Sequence, residues 1–526
     1  MYKIIIVAII LVFIKNGLSL AIPNTKPIVI IGGGPTGLAS ALTFVKLGYK
    51  DITVIEKRKK NKSFDVGKAY LYLIDGRGQT MTNELGLTPK IAEKAVSSSK
   101  FQNLTEILPD STVNIKQLPI LSKEGVEKYW IPRDQLIDVF ENAIKEAPVR
   151  VIYDSQFKSL KQQEDGRLMV EIESTTTTDS TDSSSSTRVL PANLLVGCDG
   201  MNSAVRTRLA QDENKFNIRK LPSDASKLQY KILTIKSSFP LPDGSGTSNP
   251  ETAYAIRSIG KKTKTTGLSL GLLPVKKGAT RTANLICLPE HELWSFDIDG
   301  SNNGCNVDSF KDYLKMNFPQ IPLNEFVDEE EIQRFVQADK GYFPSPQYCK
   351  GLSSSKKPVC LAGDAAHAFP PDLGQGVNSG LADIYSLYDA LKETNNDIDK
   401  GLKLYEDRRA PEIAALTKMM VFGYPYQYNH MPFKNKLFLL NFAARLVLSK
   451  AIPWLIAPPA FLQLQTHTNT YTSIMAKVRR TTMLLTAVVT TLTSTVMKRF
   501  FPKSSPILVY VMAGTVFLRE LWLISM

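Results

Sequence analysis

From Pro27 the chain reads PIVIIGGGPTGLASALTFVKLGYKDITVIEK: a short apolar β-rich run, a glycine turn, a segment with helical period, and a second β-rich run, DITVIE. That order predicts a βαβ opening. Further on, RLMVEIE (167–173) and RVLPANLLVGCDG (188–200) predict strands flanking STTTTDSTDSSSST (174–187), a hairpin loop too polar to offset its ordering entropy. Alternating stretches between 226 and 290, such as LQYKILTIKSSF and GLSLGLLPV, predict a sheet, and helical periodicity dominates from Ser379 onward. No internal repeat is visible.

The termini are more apolar than the body. IIIVAIILVFI (4–14) follows Lys3 and precedes Ser19-Leu20-Ala21, which predicts a signal peptide or an N-terminal anchor over 1–21. A helix of that run would rise about 16 Å, short of the roughly 30 Å hydrocarbon core. At the other end, TTMLLTAVVTTLTSTVM (481–497) and PILVYVMAGTVFL (506–518) enclose Lys498-Arg499-Phe500-Phe501-Pro502-Lys503. Two apolar helices around a basic aromatic turn predict a membrane hairpin or a monotopic patch, the alternative being two buried core helices.

At 526 residues and 43% hydrophobic composition, the chain should divide into two or three folded domains. Five cysteines, odd in number and widely spaced, suggest buried thiols rather than a disulfide framework or a zinc cluster. The net charge is +14, with basic residues scattered apart from runs such as Lys57 to Lys60. That argues against nucleic acid and for attraction to anionic lipid or to a phosphate-bearing cofactor. The four histidines include no i, i+4 pair, so no metal site is expected. His367 reads as a packing or hydrogen-bonding group rather than a proton carrier. Sequons at Asn61 and Asn103 matter only if the body is lumenal.

Gly32-Gly33-Gly34-Pro35-Thr36-Gly37 lies between a predicted strand and a predicted helix, the context of a dinucleotide fingerprint. Gly32 permits the tight turn, Gly34 lets a pyrophosphate approach backbone amides, and Gly37 lets helix pack on strand. Glu56 closes the second strand, where an acid accepts hydrogen bonds from a ribose diol and favours FAD or NAD over a 2′-phosphate. Downstream, Asp199-Gly200 in LLVGCDG and Gly363-Asp364 in VCLAGDAAHAF end two more apolar strands. Each Asp taken alone could cap a helix; together, three strand ends could hold one long dinucleotide.

GGGPTG, GCDG and LAGDAAHAFPPDLGQGVN, in this order, resemble the class A flavoprotein monooxygenases of the aromatic hydroxylase type over residues 27 to 430, and within them the kynurenine 3-monooxygenase group. KAYLYLIDGRGQTMTNELGL (68–87) and YEDRRAPEIAALTKMMVFGY (405–424) carry the closer likeness. The resemblance implies an FAD-dependent enzyme with NAD(P)H as transient reductant, hydroxylating an aromatic or related electron-rich molecule with O2 through a flavin C4a-hydroperoxide. It assigns Arg77, Arg133, Asp199 and Gly200 to the cofactor, Asp364 with Gly363 to the ribityl chain, and Gly374 and Gly376 to a helix start beside the flavin. Asn378 and Tyr424 fall on substrate-side positions. Kynurenine 3-monooxygenases hold a substrate carboxylate with an arginine between the positions of Arg77 and Arg133, and here that interval contains none. Lys100, Lys116, Lys123 or Lys128 could substitute only as a point charge, so the expected substrate lacks an α-carboxylate. The rival readings are a membrane flavoenzyme epoxidising or reducing a lipid or isoprenoid, and a non-catalytic flavin-binding protein.

The expected fold is α/β: a Rossmann-like FAD-binding domain in three discontinuous segments (27–75, 130–205 and 345–410), a mixed β-sheet substrate domain (76–129 and 206–344), a helical region (411–480) and a C-terminal membrane-associated hairpin (481–526). The expected location is a membrane, by the endoplasmic reticulum and secretory route or at the mitochondrial outer membrane.

Overall fold

The computed structural model describes residues 25–60, 70–99, 103–117, 125–175, 187–259, 268–296, 307–426, 428 and 431–500. The N-terminal run 1–21 therefore lies outside the described residues, as do the tip of the polar hairpin loop and the second apolar segment of the C-terminus.

Five of the short apolar runs pair into one parallel sheet: β1 (Ile28–Ile31), β2 (Ile52–Ile55), β3 (Val149–Ile152), β4 (Leu194–Gly197) and β5 (Val359–Leu361), in the order β5-β4-β1-β2-β3. Ile30 lies beside Val196 on one side and Val54 on the other. Every residue of β1, β2, β4 and β5 is buried, because the sheet is covered by helices and by the antiparallel strands Ser155–Gln162, Leu168–Ser174 and Thr187–Ala192, whose Leu160, Val170 and Ala192 share its core, leaving no solvent side to alternate toward. The first helix, α1 (Pro35–Lys46), buries Leu38, Ala39, Ala41 and Phe44 against the sheet. It is followed by α2 (Gly76–Glu84), α3 (Arg133–Lys145), α4 (Ala204–Asp212) and α5 (Gly376–Glu393).

A second sheet of seven strands is mixed, in the order Gly341–Tyr342, Gln229–Ile235, Arg281–Cys287, Ser269–Leu272, Ala253–Arg257, Asn103–Ile107, Val113–Gln117. Only Ala253–Arg257 and Asn103–Ile107 run parallel. Leu233 and Leu285 from this sheet share a separate core with Phe310 and Phe335 of two covering helices. The polar loop is flanked as expected by a hairpin, Leu168–Ser174 pairing with Thr187–Ala192.

The described residues end in α6 (Ile398–Phe422), α7 (Pro432–Ala451) and α8 (Tyr471–Phe500). Here the structure corrects one expectation. The run 481–497 is no separate short helix but the continuation of α8, whose first turns are bound into a core with Leu416, Met420 and Leu464. Among the described residues no helix is long and apolar enough to cross a membrane. Seven threonines and a serine between Thr481 and Met497 dilute the run.

Candidate functional site

The β1–α1 turn is shaped by contacts that only glycine permits. Gly32 has φ of 109°, and a Cβ there would overlap the Cys198 carbonyl; a Cβ on Gly37 would overlap the Gly32 carbonyl. By contrast, nothing lies within 4 Å of a Cβ built on Gly34, the N-cap residue of α1. The helix has no side-chain cap, so its first amides face open space, the arrangement that receives a phosphate. Glu56, only 6% exposed, closes the turn from the end of β2. Its Oε2 accepts from the Gly33 amide at 2.6 Å, and its Oε1 from the amide and Nε of Arg58 at 2.8 and 2.9 Å. Burial pushes the Glu56 pKa up, but these bonds and the Arg58 charge leave it below the usual carboxylate range.

The ends of β4 and β5 lie next to this turn. Asp199 Oδ2 accepts from the amides of Ala204 and Val205 at 2.7 and 3.2 Å, the capping role open to any Asp before a helix. Its Oδ1, however, is buried without a hydrogen-bond partner, and burial pushes its pKa up. Gly200 follows with φ of 81°. Arg206 ties this corner to the next strand end, donating to the Ala365 carbonyl at 2.7 Å. There Gly363 takes φ of 62°, and Thr36 of α1 sits where a Cβ on Gly363 or Gly380 would have to go. Asp364 is open to solvent on one side and accepts no hydrogen bond from the described residues. The surrounding protein desolvates it and pushes its pKa up, with the His367 and Arg133 charges opposing. Arg133, at the first turn of α3, lies against Tyr70, its guanidinium 5.9 Å from the ring centroid.

Beneath Asp364 is a buried network that the sequence did not disclose. Asp383 of α5, fully buried, accepts from the Gly363 amide at 2.8 Å, His367 Nε2 at 2.7 Å and Arg409 Nε at 2.6 Å. Burial alone would raise its pKa; the His367 and Arg409 charges bring it below the normal value. An ionised carboxylate only accepts, so His367 carries its proton on Nε2. A second chain runs alongside: Tyr471 Oη donates to Gln375 Oε1 at 2.7 Å, and Gln375 Nε2 donates to Asp75 at 2.9 Å. The signal for Asp383 was an acid within the apolar face of VNSGLADIYSL, which carries no hint of its partners.

Several expected site residues are bonded to the protein itself. Asn378 is fully buried: its Oδ1 accepts from the Asp75 amide at 3.0 Å and its Nδ2 donates to the carbonyls of Leu73 and Gly374 at 2.7 and 3.0 Å. With donors and acceptor engaged by backbone, it straps α5 to the strand before α2. Arg77 also turns inward, donating to the carbonyls of Leu464, Thr466 and Asn469 at 2.7 to 2.9 Å and lying 4.8 Å from the Tyr471 ring. A buried guanidinium must fill its fork with acceptors, and the C-terminal carbonyls supply them, so Arg77 ties α2 to the chain between Leu464 and Asn469. Tyr424 is half-buried among Phe438 and Phe461 at ring separations of 5.5 and 5.4 Å. Gly374 adopts φ of 62°, and Gly376 opens α5 with nothing within 4 Å of a built Cβ. Of the lysines weighed as carboxylate holders, Lys116 pairs with Glu106 and Lys128 donates to Gln465; Lys100 and Lys123 lie outside the described residues.

An open helix N-terminus, an orphaned Asp199 oxygen and an accessible, unpartnered Asp364 at three adjoining strand ends fit a long polyhydroxylated dinucleotide such as FAD. The comparisons with known proteins agree. Residues 25–229 and 347–420 match the FAD binding domain family, more than half of the chain. The chain is 22% identical over 410 residues to kynurenine 3-monooxygenase of Caenorhabditis briggsae, covering 76% of this chain and 81% of that one. It is 24% identical over 419 residues to the FAD-dependent monooxygenase sor5 of Hypocrea jecorina, covering 73% and 81%. Among solved structures, 2-methyl-3-hydroxypyridine-5-carboxylic acid oxygenase shares the fold, with a TM-score of 0.53, 18% identity and coverage of 77% and 91%. This chain therefore belongs to the FAD binding domain family, as an FAD-dependent monooxygenase.

Proposed function

We propose that this monooxygenase, of the kynurenine 3-monooxygenase type, is reduced by NAD(P)H and hydroxylates an aromatic or similarly electron-rich apolar molecule that carries no α-carboxylate. The observation that carries the substrate class is the missing cation: no arginine stands between Arg77 and Arg133, and Arg77, Lys116 and Lys128 are engaged with protein acceptors. Around Tyr424 the walls are Phe438 and Phe461, which suit a flat apolar ring.

In this reading the amides at the start of α1 receive the pyrophosphate, with Arg133 nearby as a counter-charge. Glu56 accepts from the adenosine ribose and Asp364 from the ribityl hydroxyls, while Asp199 offers its free oxygen to the dinucleotide. The α5 N-terminus behind Gly374 and Gly376 favours negative charge beside it. FAD, when bound, supplies the electron and oxygen chemistry; the chain's own groups orient, desolvate and hold charge. Neither Asp383 nor His367 is assigned proton transfer, because both face inward and are bonded to each other. We further infer the domain division stated above and attachment to a membrane through the region from 481 to 526.

The test is to purify the protein in detergent, record its flavin spectrum, and screen aromatic and lipid ligands for faster flavin reduction by NADPH, then to follow oxygen-18 from O2 into product. Stimulation by neutral aromatic ligands with label incorporation is expected. Reduction without label would make the chain a reductase, and a preference for α-amino acids would overturn the substrate class.

A further inference from the structure

Helix α7 is built inside out. The two residues that it buries are Arg445 and Ser449, while Phe433, Leu437, Leu440, Ala444 and Val447, spaced by four and three in alternation, form one stripe facing solvent. Phe433, Leu440 and Val447 are 74%, 69% and 66% exposed, and Trp454 just beyond the helix is 74% exposed. The polar side holds the helix in place. Arg445 donates to Thr482 of α8 at 2.9 Å and to Asn441 at 3.1 Å, and the Ala457 amide donates to Thr481 at 2.9 Å. The stripe is thus presented on a fixed support, and α8 also exposes Met483 and Val488. Such an apolar face on a folded chain marks a contact with something outside it.

Charge identifies the occupant. Between Glu412 and Glu520 the chain has twelve lysines or arginines and no aspartate or glutamate, so the excess read as scattered is in fact concentrated here. Lys436, Lys450, Arg479 and Arg480 are exposed around the apolar stripe. Arg480 reaches the Trp454 carbonyl at 3.5 Å, placing a cation at the end of the stripe. An apolar stripe with a tryptophan at its end and an uncompensated basic border matches the surface of an anionic bilayer, where apolar side chains enter the acyl boundary and cations meet headgroups.

We propose that the α7 face with Trp454 is a monotopic docking surface for an anionic lipid bilayer, holding the enzyme on the membrane by a contact separate from the residues after Phe500. It deepens the membrane reading given above and rests on it.

Full-length protein is tested by flotation with vesicles of phosphatidylcholine alone and of phosphatidylcholine with phosphatidylglycerol. Wild-type protein should bind the anionic vesicles at least tenfold more strongly, and less so as salt rises. The Phe433→Ser/Leu440→Ser/Trp454→Ser variant should lose at least tenfold in partitioning at unchanged flavin content. The Lys436→Gln/Lys450→Gln variant should lose chiefly the preference for anionic vesicles. If wild-type protein binds neither vesicle, the membrane reading itself fails. If it binds and the triple variant binds equally well, this surface is refuted while attachment through the tail stands. If the triple variant instead converts a dimer to a monomer without changing vesicle binding, the stripe is covered by a second copy and the proposal is overturned.

Discussion

The Asp383→Asn substitution probes the network under the cofactor cradle. Asp383 is fully buried and its two oxygens receive three donors: Arg409 Nε on one, the Gly363 amide and His367 Nε2 on the other. Whichever way the new amide turns, its NH2 faces either the Arg409 fork or the Gly363 N–H, and the guanidinium loses its buried counter-charge. Breaking a buried ion pair from one side costs about 3–5 kcal/mol. In Tm that corresponds to a drop on the order of 10 °C, from the few degrees per kcal/mol of a large domain. Because the Gly363 amide anchors the left-handed turn that presents Asp364, flavin affinity should fall at least tenfold as well. The assays are thermal unfolding at saturating FAD and a fluorescence titration of apoprotein with FAD. A Asp383→Leu/Arg409→Met double variant should lose less than the sum of the two single changes, since it removes both charges together. The Asp383 pKa is depressed in the folded state, so its contribution is present above the unfolded carboxylate value and is lost only as pH falls through the folded one. A variant within about 2 °C of wild type, with unchanged flavin content, would refute the reasoning.

Arg77→Met should cost about 3 kcal/mol by stripping three carbonyls of their donor, and limited proteolysis should cut between Leu464 and Tyr471 sooner while the flavin spectrum persists. Flavin loss at unaltered stability would instead return Arg77 to the cofactor. For Asp364, whose pKa burial raises, ribityl hydroxyls bind the ionised form, so FAD affinity should weaken as pH falls through that raised value. In Asp364→Asn the pH dependence should disappear, and parallel profiles for the two proteins would sink the assignment.

Local signals carried far in this chain. The strand-turn-helix at Gly32 to Gly37 and the hairpin around the polar loop were legible because each is written in contiguous residues: fully apolar runs for strands covered on both faces, glycines where a Cβ would strike a carbonyl. The open ends at Asp199 and Asp364 were legible as strand ends too. The roles of Asn378 and Arg77 were not, because a polar side chain beside a glycine motif has the same local appearance whether it faces a ligand or a carbonyl hundreds of residues away.

The same division explains the C-terminal region. Period and composition identify apolar helices there, yet only packing decides which face turns outward: α7 buries Arg445, which donates to Thr482 and Asn441, together with Ser449, and so exposes Phe433, Leu440 and Val447. By itself, then, the sequence determined the nucleotide-binding turn, the strand ends that carry its motifs and the chemistry that they can hold. Tertiary structure alone decided the Asp383 network, the clamp at Arg77 and the outward apolar stripe. The first set depends on neighbours within a few residues, and the second on partners that only the folded chain brings within hydrogen-bonding distance.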